Sequence, residues 1–389
     1  MTEAIFYERL RKRYDQNLPF VAYRKPGEKK VNAFLQKSAE VFSTEDFSES
    51  GFVFAPFDDL EQNILIPEEV SEKLIFETLG LTSSEENISV DAPSEADSQA
   101  REKHVSLVKS ALEKLKSGEL EKVVLSRKEE INIPGVDPVE LFRRLLKTYP
   151  AAFVYLWYHP ATKVWLAATP ETLLKMEGNR FKTMALAGTQ KYQGTTEVEW
   201  GDKEKQEQLF VTDSILKNLE KAGVSTEEIE RSEVYTTKAG NLLHLRTDIT
   251  GQIPSTKFQI PNSEKAGVNA LVAALHPTPA VCGLPKKKAK EFILSEEGYD
   301  REFYTGFLGE LNLQKNIQRS RTRRNVENLA YRAVKQETAL YVNLRCMKIE
   351  DDTVSIFVGG GITKDSDPEA EWEETVNKSQ TMKKVLLKS

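Results

Sequence analysis

Two cysteines and four histidines in 389 residues leave little material for soft-metal or redox chemistry. Cys282 and Cys346 have neither zinc-ligand nor redox-motif spacing, and the histidines form no H-x-x-x-H pair, so the thiols read as reduced packing groups. Long apolar runs are missing too. No stretch approaches the ~18 residues of a membrane span. The opening "MTEAIFYERLRKRYDQ" puts charges where a signal peptide needs its apolar segment, which predicts a cytoplasmic protein. Charge of one sign is absent as well: 54 basic and 60 acidic residues are mixed along the chain, for a net charge of −6. That balance gives no basic field for nucleic acid or a membrane surface. Without a G-x-x-x-x-G-K-[ST] loop there is no motif for phosphoryl transfer, and without heptads nothing requires a partner, so a monomer acting on a small molecule is expected.

What is present is a chain with 39% hydrophobic residues, enough for one large domain or two ordinary ones. Residues 83–100, "SSEENISVDAPSEADSQA", are polar and acidic and read as a linker, dividing an N-terminal portion (1–100) from a main region (101–389). Before the linker, "FVAYRKPGE", "VNAFLQ" and "GFVFAPF" resemble short strands. After it, Val105, Val108, Leu112 and Leu115 form a helical stripe ending at Gly118. "LEKVVLSR" is a strand, and "DPVELFRRLLKTYP" is a helix with Asp137 as N-cap and Pro138 at its first position. Strands follow at about 151–158, 163–168, 172–176 and 180–186, and later at 242–250, 306–314, 339–349 and 353–359. Helices are predicted over about 203–222, 264–274, 286–294, 322–335 and 368–387. Blocks of helices and antiparallel strands indicate an α+β fold.

Two helices carry carboxylates on the wrong face. Glu204 and Glu207 lie in line with Val211 and Ile215, and Glu371, Glu374 and Lys378 lie in line with Met382 and Val385. Glutamates near a helix start can simply complement the macrodipole, as Glu369 is placed to do. Two inward E-x-x-E pairs are harder to explain in that way, because buried carboxylates need a countercharge. A hard divalent cation held between the helices would supply it, and with no Cys or His cluster Mg²⁺ is favoured over Zn²⁺. Gly359, Gly360 and Gly361 precede the second pair, where a strand end could let backbone N–H groups approach an anion.

These features, with "EKVVLSR" (121–127), "ATPETLL" (168–174), "ALAGT" (185–189), "KEKQEQLFVTDSI" (203–215), "LLHLRTDITG" (242–251), "LHPTPAVCGLPKKKA" (275–289), "DREFYTGFLGEL" (300–311), "LYVNLRCMKI" (340–349) and "FVGGGI…PEAEWEETVNK" (357–378), resemble the chorismate-utilising enzymes, and most closely the isochorismate synthases. The resemblance implies an antiparallel sheet sandwich flanked by helices around a deep cleft. It implies chorismate as substrate and one Mg²⁺, with Glu207 and Glu374 as direct ligands and Glu204 and Glu371 holding metal-bound water. Lys378 and the backbone of Gly359 and Gly361 would lie at the ring carboxylate, Tyr304 and Arg345 at the enolpyruvyl carboxylate. Ala187, Gly188, Thr189, His244 and Thr278 would complete the substrate site.

Isochorismate formation adds water at ring C2 and expels the C4 hydroxyl, and the resemblance makes Lys122 the base and Glu171 the acid. Anthranilate synthases, which resemble this chain, usually carry Gln at the Lys122 position. Aminodeoxychorismate synthases place a nucleophilic Lys where this chain has Ala187 in "LAGT". Salicylate synthases share the acid and the base and then eliminate pyruvate; a non-catalytic binder of an anionic metabolite would need neither. One departure stands out: Gln206 and Gln208 replace histidines that often flank the ligand glutamate, which predicts an altered surround for a retained metal site. The product's destination, menaquinone or a siderophore, depends on neighbouring enzymes.

Overall fold

The computed structural model describes residues 1–78, 95–240, 242–253, 267–316 and 334–386. Among the described residues are seven α-helices: α1 (Glu3–Asp15), α2 (Glu95–Lys116), α3 (Pro138–Thr148), α4 (Asp202–Lys221), α5 (Val268–Leu275), α6 (Lys286–Glu296) and α7 (Pro368–Leu386). None is long and apolar enough to cross a membrane. Two antiparallel sheets form the centre. The first has the order Gly283–Leu284, Lys122–Asn132, Thr353–Ile362, Cys346–Glu350, Lys163–Thr169, Phe153–His159, Phe20–Arg24, Lys30–Gln36 and Ser71–Glu77. The second runs Ile229–Arg231, Leu242–Gln252, Arg180–Lys191, Thr172–Glu177, Val334–Val342, Phe307–Asn316, Gly51–Ala55, Asn63–Pro67 and Phe42–Thr44, with Tyr235–Ala239 added beside Leu242–Gln252. Strands from residues 20–77 thus enter both sheets.

The sheets bury an aromatic layer between them, in which Phe54 stacks on Phe303 at 4.2 Å and Phe153 on Tyr341 at 4.0 Å. On the outer face of the first sheet, α1, α3 and α7 cover a second core through Phe6, Leu10, Phe142, Leu145, Met382 and Val385. On the second sheet α4 and α5 do the same through Val211, Ile215, Leu219, Leu271 and Leu275. Helices α2 and α6 close the end that holds Val123 and Leu125. The fold is therefore a helix–sheet–sheet–helix sandwich, in agreement with the α+β expectation.

Local chemistry explains several boundaries. Asp137 Oδ1 accepts from the backbone N–H of Val139 (2.8 Å) and Glu140 (3.1 Å), so α3 starts where the N-cap and proline signals put it. At its other end the buried Arg24 donates to the carbonyls of Leu146 and Tyr149, both at 2.7 Å, satisfying groups that a helix terminus leaves open. Helix α1 was not anticipated, although Phe6, Tyr7 and Leu10 mark its buried stripe. Helix α2 begins at Glu95, inside the stretch read as linker, because "SQAREKH" is made of good helix formers; the rest of that stretch lies largely outside the described residues. The expected 322–335 helix also falls outside them, except that Val334 already opens a strand, and the expected 264–274 helix is described from Val268.

Two corrections bear on the site. The segment 339–349 is two strands, Val334–Val342 and Cys346–Glu350, which lie in different sheets. They are separated by a turn in which Arg345 adopts φ +49°. The strand expected to end at Gly359 continues to Ile362, pairing Gly359 with Ser126, Gly360 with Leu125 and Gly361 with Val124.

A buried ion pair fastens the strand beginning at Lys122 to the segment carrying Tyr304. Arg301 Nε meets Glu297 Oε2 at 2.7 Å, and its Nη atoms reach the carbonyls of Val124 (2.7 Å) and Val281 (3.0 Å). Glu297 in turn accepts from Ser126 N at 2.7 Å. Both charged side chains are 1% exposed. Removing one partner strands the other, so Arg301→Ala is expected to cost about 3–5 kcal/mol in urea unfolding. A loss under about 1 kcal/mol, the value for an exposed pair, would contradict this reading.

Candidate active site

The cleft lies where the Thr353–Ile362 strand, α4 and α7 converge. Glu204 and Glu207 are carried on α4, whose next turns bury Val211 and Ile215; Glu371 and Glu374 are carried on α7 above buried Met382 and Val385. The two acidic pairs border the three-glycine strand. A Cβ at Gly361 would stand 2.6 Å from Glu207 Oε1 and 3.1 Å from Lys122 Cε, while one at Gly360 would be 3.4 Å from both Glu371 Oε2 and Glu374 Oε1. Gly361 therefore makes room for the Glu207 carboxylate, and Gly359 for the neighbouring strand and the Tyr304 hydroxyl, rather than supplying a turn.

Lysines answer these charges. Lys122 Nζ donates to Glu207 Oε1 at 2.8 Å, Lys203 Nζ to Glu371 Oε1 at 2.8 Å, and Lys378 Nζ pairs with Glu374 Oε1 at 2.6 Å while reaching the Gly359 carbonyl at 2.9 Å. Burial pushes the Glu207 carboxyl up, but Lys122, then Lys378 and Lys203, bring it below its ordinary value. Glu371 goes the other way: burial and the neighbouring Glu374 raise it against the pull of Lys203. Its Oε2 is buried and has no hydrogen-bond partner. Among the described residues no three acidic, His or Cys side chains are close enough to form a ready metal cluster. The all-oxygen donor set and the orphaned Glu371 oxygen are nevertheless what a hard divalent cation would use.

Gly188 joins this end to the opposite wall. It sits at φ +64° in an irregularity of the Arg180–Lys191 strand, where a left-handed backbone costs a glycine little. Its N–H donates to Glu207 Oε2 at 3.2 Å and its carbonyl lies 2.8 Å from His244 Nδ1. Arg345 Nη2 lies 2.8 Å from His244 Nε2, so Nε2 accepts and Nδ1 carries the proton. Burial and then Arg345 lower His244 to about 3, which keeps it neutral. Arg345 Nη1 donates to the Ala239 carbonyl at 2.9 Å. Near it Glu171 is 3% exposed, and burial raises its carboxyl to about 8 against the opposing pull of Lys122 and Arg345. Tyr304 stacks on Phe357 at 5.5 Å, with its hydroxyl 2.9 Å from where a Gly359 Cβ would be.

A model of the family described as chorismate binding enzyme matches residues 58–318, and a second with the same description matches 329–384. This chain belongs to the chorismate-binding enzymes. Among its relatives, the isochorismate synthase EntC of Escherichia coli (strain K12) is 29% identical over 279 residues, 69% of this chain and 63% of that protein. Anthranilate synthase component 1 of Aquifex aeolicus is 29% identical over 301 residues, 74% of this chain and 53% of that one. The chain thus spans between half and two thirds of the length of these relatives. Of solved structures, that of MenF, the menaquinone-specific isochorismate synthase from Escherichia coli, superposes with a TM-score of 0.71 at 20% identity, covering 95% of this chain and 89% of that one, which shows a shared fold.

Most of the residues proposed for a chorismate-binding site do meet in one cleft. Glu171, Ala187, Gly188, Thr189, His244 and Tyr304 line it, as do Arg345, Gly359, Gly361, Lys378, Glu204, Glu207 and Glu374. Three do not. Thr278 is buried beside the cleft, where Ala280 and Val281 take the wall position instead. Lys122 has no exposed surface and sits behind Glu207, and Glu371 is 2% exposed behind Gly360. Lys122 is thus no solvated edge residue. Gln208 is equally buried and donates to Ala185 O (3.2 Å) and Thr247 Oγ1 (3.1 Å), fastening α4 to the sheet, whereas Gln206 is exposed. Lys203 was missed; a lysine one residue before an inward glutamate was the available signal.

The glycine geometry gives a graded expectation. Gly361→Ala must displace the Glu207 carboxylate and the Lys122 stem, and a displacement near 1 Å can cost about 10²-fold in rate. Gly360→Ala makes ordinary contacts and should be close to wild type. Equal rates for the two variants would contradict the packing described.

Proposed function

We propose that this chorismate-binding enzyme is an isochorismate synthase, converting chorismate to isochorismate by adding water at C2 and releasing the C4 hydroxyl. The observation that carries the reading is a fully buried lysine behind the cleft wall whose charge acts on a buried, cleft-lining glutamate, the carboxyl of which burial still raises to about 8. A glutamate in that state holds a proton at neutral pH and can pass it to a departing oxygen. Lys122 is assigned the water's proton, which requires its Nζ both to leave Glu207 and to give up a proton, so that a neutral amine faces the water. Arg345, oriented by His244, and Tyr304 would hold the enolpyruvyl carboxylate; the planar guanidinium suits bidentate binding. Lys378 would stand at the ring carboxylate. Glu207 and Glu374, backed by Glu204 and Glu371, would hold a Mg²⁺ ion, which when bound supplies positive charge for that carboxylate.

The relatives include both isochorismate and anthranilate synthases. What favours the former is Lys122 itself, since ammonia is already a competent nucleophile and needs no such base. The test is to incubate purified protein with chorismate and Mg²⁺ and separate the products. Isochorismate in equilibrium with chorismate is expected; salicylate with pyruvate, or no turnover by folded protein, would overturn the assignment.

A further inference from the structure

We propose that Lys203 is an internal cation that competes with the divalent ion for the same carboxylates, so that the ion enters the site in exchange for a lysine. The inference rests on the assignment of the glutamates to Mg²⁺ made above. Lys203 stands in the first turn of α4, one residue before Glu204, and its Nζ crosses to Glu371 Oε1 on α7 at 2.8 Å. Burial works against its charge, but Glu371, then Glu374 and Glu207, raise its pKa above the ordinary lysine value, so it is fully charged where it stands. Those three are among the four glutamates assigned to the ion. Two of them converge: Glu371 Oε2 and Glu374 Oε1 both lie 3.4 Å from the point that a Gly360 Cβ would take.

The three lysines at this site are not equally able to yield. Lys122 has no exposed surface and is held by Glu207. Lys378 is tied twice, to Glu374 Oε1 at 2.6 Å and to the Gly359 carbonyl at 2.9 Å. Lys203 is hydrogen-bonded to Glu371 alone, its side chain is 36% exposed, and it lines the cleft. Three lysines thus face four glutamates, and the site is close to neutral as it stands. A dication entering beside Lys203 would set like charges against shared carboxylates, an arrangement that low local dielectric makes costly. Lys203, on a long stem that already reaches solvent, is the group that gives way. The consequence is a site whose carboxylates stay paired throughout and whose affinity for the ion is set by a lysine.

Calorimetric titration of the purified protein with MgCl₂ reads the exchange without turnover. Lys203→Met is expected to bind Mg²⁺ about tenfold more tightly than wild type, the weight of one charge-assisted hydrogen bond that no longer has to be broken. Lys203→Gln, which keeps a donor and loses the charge, should shift the affinity in the same direction. Lys205→Met, an equal loss of charge on the exposed face of α4, should leave it near wild type. MgCl₂ should also raise the Tm of Lys203→Met by more than it raises that of wild type, because tighter binding to the folded state stabilises it more. Weaker Mg²⁺ binding by Lys203→Met and Lys203→Gln would mean that the lysine positions Glu371 for the ion, and unchanged binding would mean that the two cations do not compete. Either result overturns the exchange and leaves the functional reading intact. Wild-type protein that binds Mg²⁺ but forms no isochorismate would overturn the functional reading while leaving the exchange measurable. Wild-type protein that takes up no Mg²⁺ would overturn both the exchange and the metal assignment.

Discussion

Lys122→Ala is expected to lower chorismate turnover by about 10²–10⁴-fold, the usual contribution of a general base, while Mg²⁺ still binds. Lys122 has two separable jobs in this structure: it neutralises Glu207 at 2.8 Å, and it is the buried amine assigned to the attacking water. Lys122→Arg distinguishes them. A guanidinium keeps the positive charge beside Glu207 but stays protonated throughout the working pH range, so it can restore the ion pair without restoring the base. The expectation is a folded, metal-binding Lys122→Arg protein as inactive as Lys122→Ala, with Mg²⁺ affinity followed by calorimetry. Near-normal rates in Lys122→Arg would mean that Lys122 acts only as a countercharge.

Glu171→Gln should be similarly damaging, by about 10²–10⁴-fold, because the amide fills the same space and has no acidic proton to give. Here pH offers a second test. Burial raises the carboxyl from 4.5 to about 8, so the acid form persists through neutrality and wild-type activity should fall as pH rises through about 8. The linked stability has the same sign: a carboxyl raised in the folded state contributes stability fully present below its unfolded value, and that contribution declines with rising pH and is lost above about 8. Glu171→Gln cannot ionise there, so its Tm should fall less steeply than that of wild type between about pH 5 and 8. Parallel Tm profiles, or a wild-type rate that is flat across pH 8, would contradict the assigned protonation state.

How much of this was legible in the sequence depended on the range of the interaction concerned. Helix α3 could be read because its cap and proline act within one turn, and the stripes of α4 and α7 because helical spacing is local. The inward glutamates were visible for the same reason. Of their lysine partners only Lys378, four residues beyond Glu374, shared a stripe; Glu207 pairs with Lys122 from another element, and Glu371 with Lys203 across helices. The split at Arg345 was hidden because "LYVNLRCMKI" carries no glycine or proline to mark a break, and only the transfer of the chain from one sheet to the other requires the left-handed residue. The glycine triplet was read as a strand end whose backbone N–H groups could approach an anion, whereas the strand runs on to Ile362. The observed use of Gly361, clearing space for Glu207 and the Lys122 stem, is a tertiary fact. Thr278 was placed in the cleft by resemblance alone, and the structure puts its neighbours Ala280 and Val281 there instead.

The central claim is that water, directed by Lys122 and Glu171, attacks chorismate at C2 and that nothing further is eliminated. Incubation of the Mg²⁺-loaded protein with chorismate in ¹⁸O-labelled water, followed by mass spectrometry, tests it directly. The expected result is isochorismate bearing one solvent oxygen, with no pyruvate released. Isochorismate without label, or salicylate carrying the solvent oxygen and accompanied by pyruvate, would contradict it.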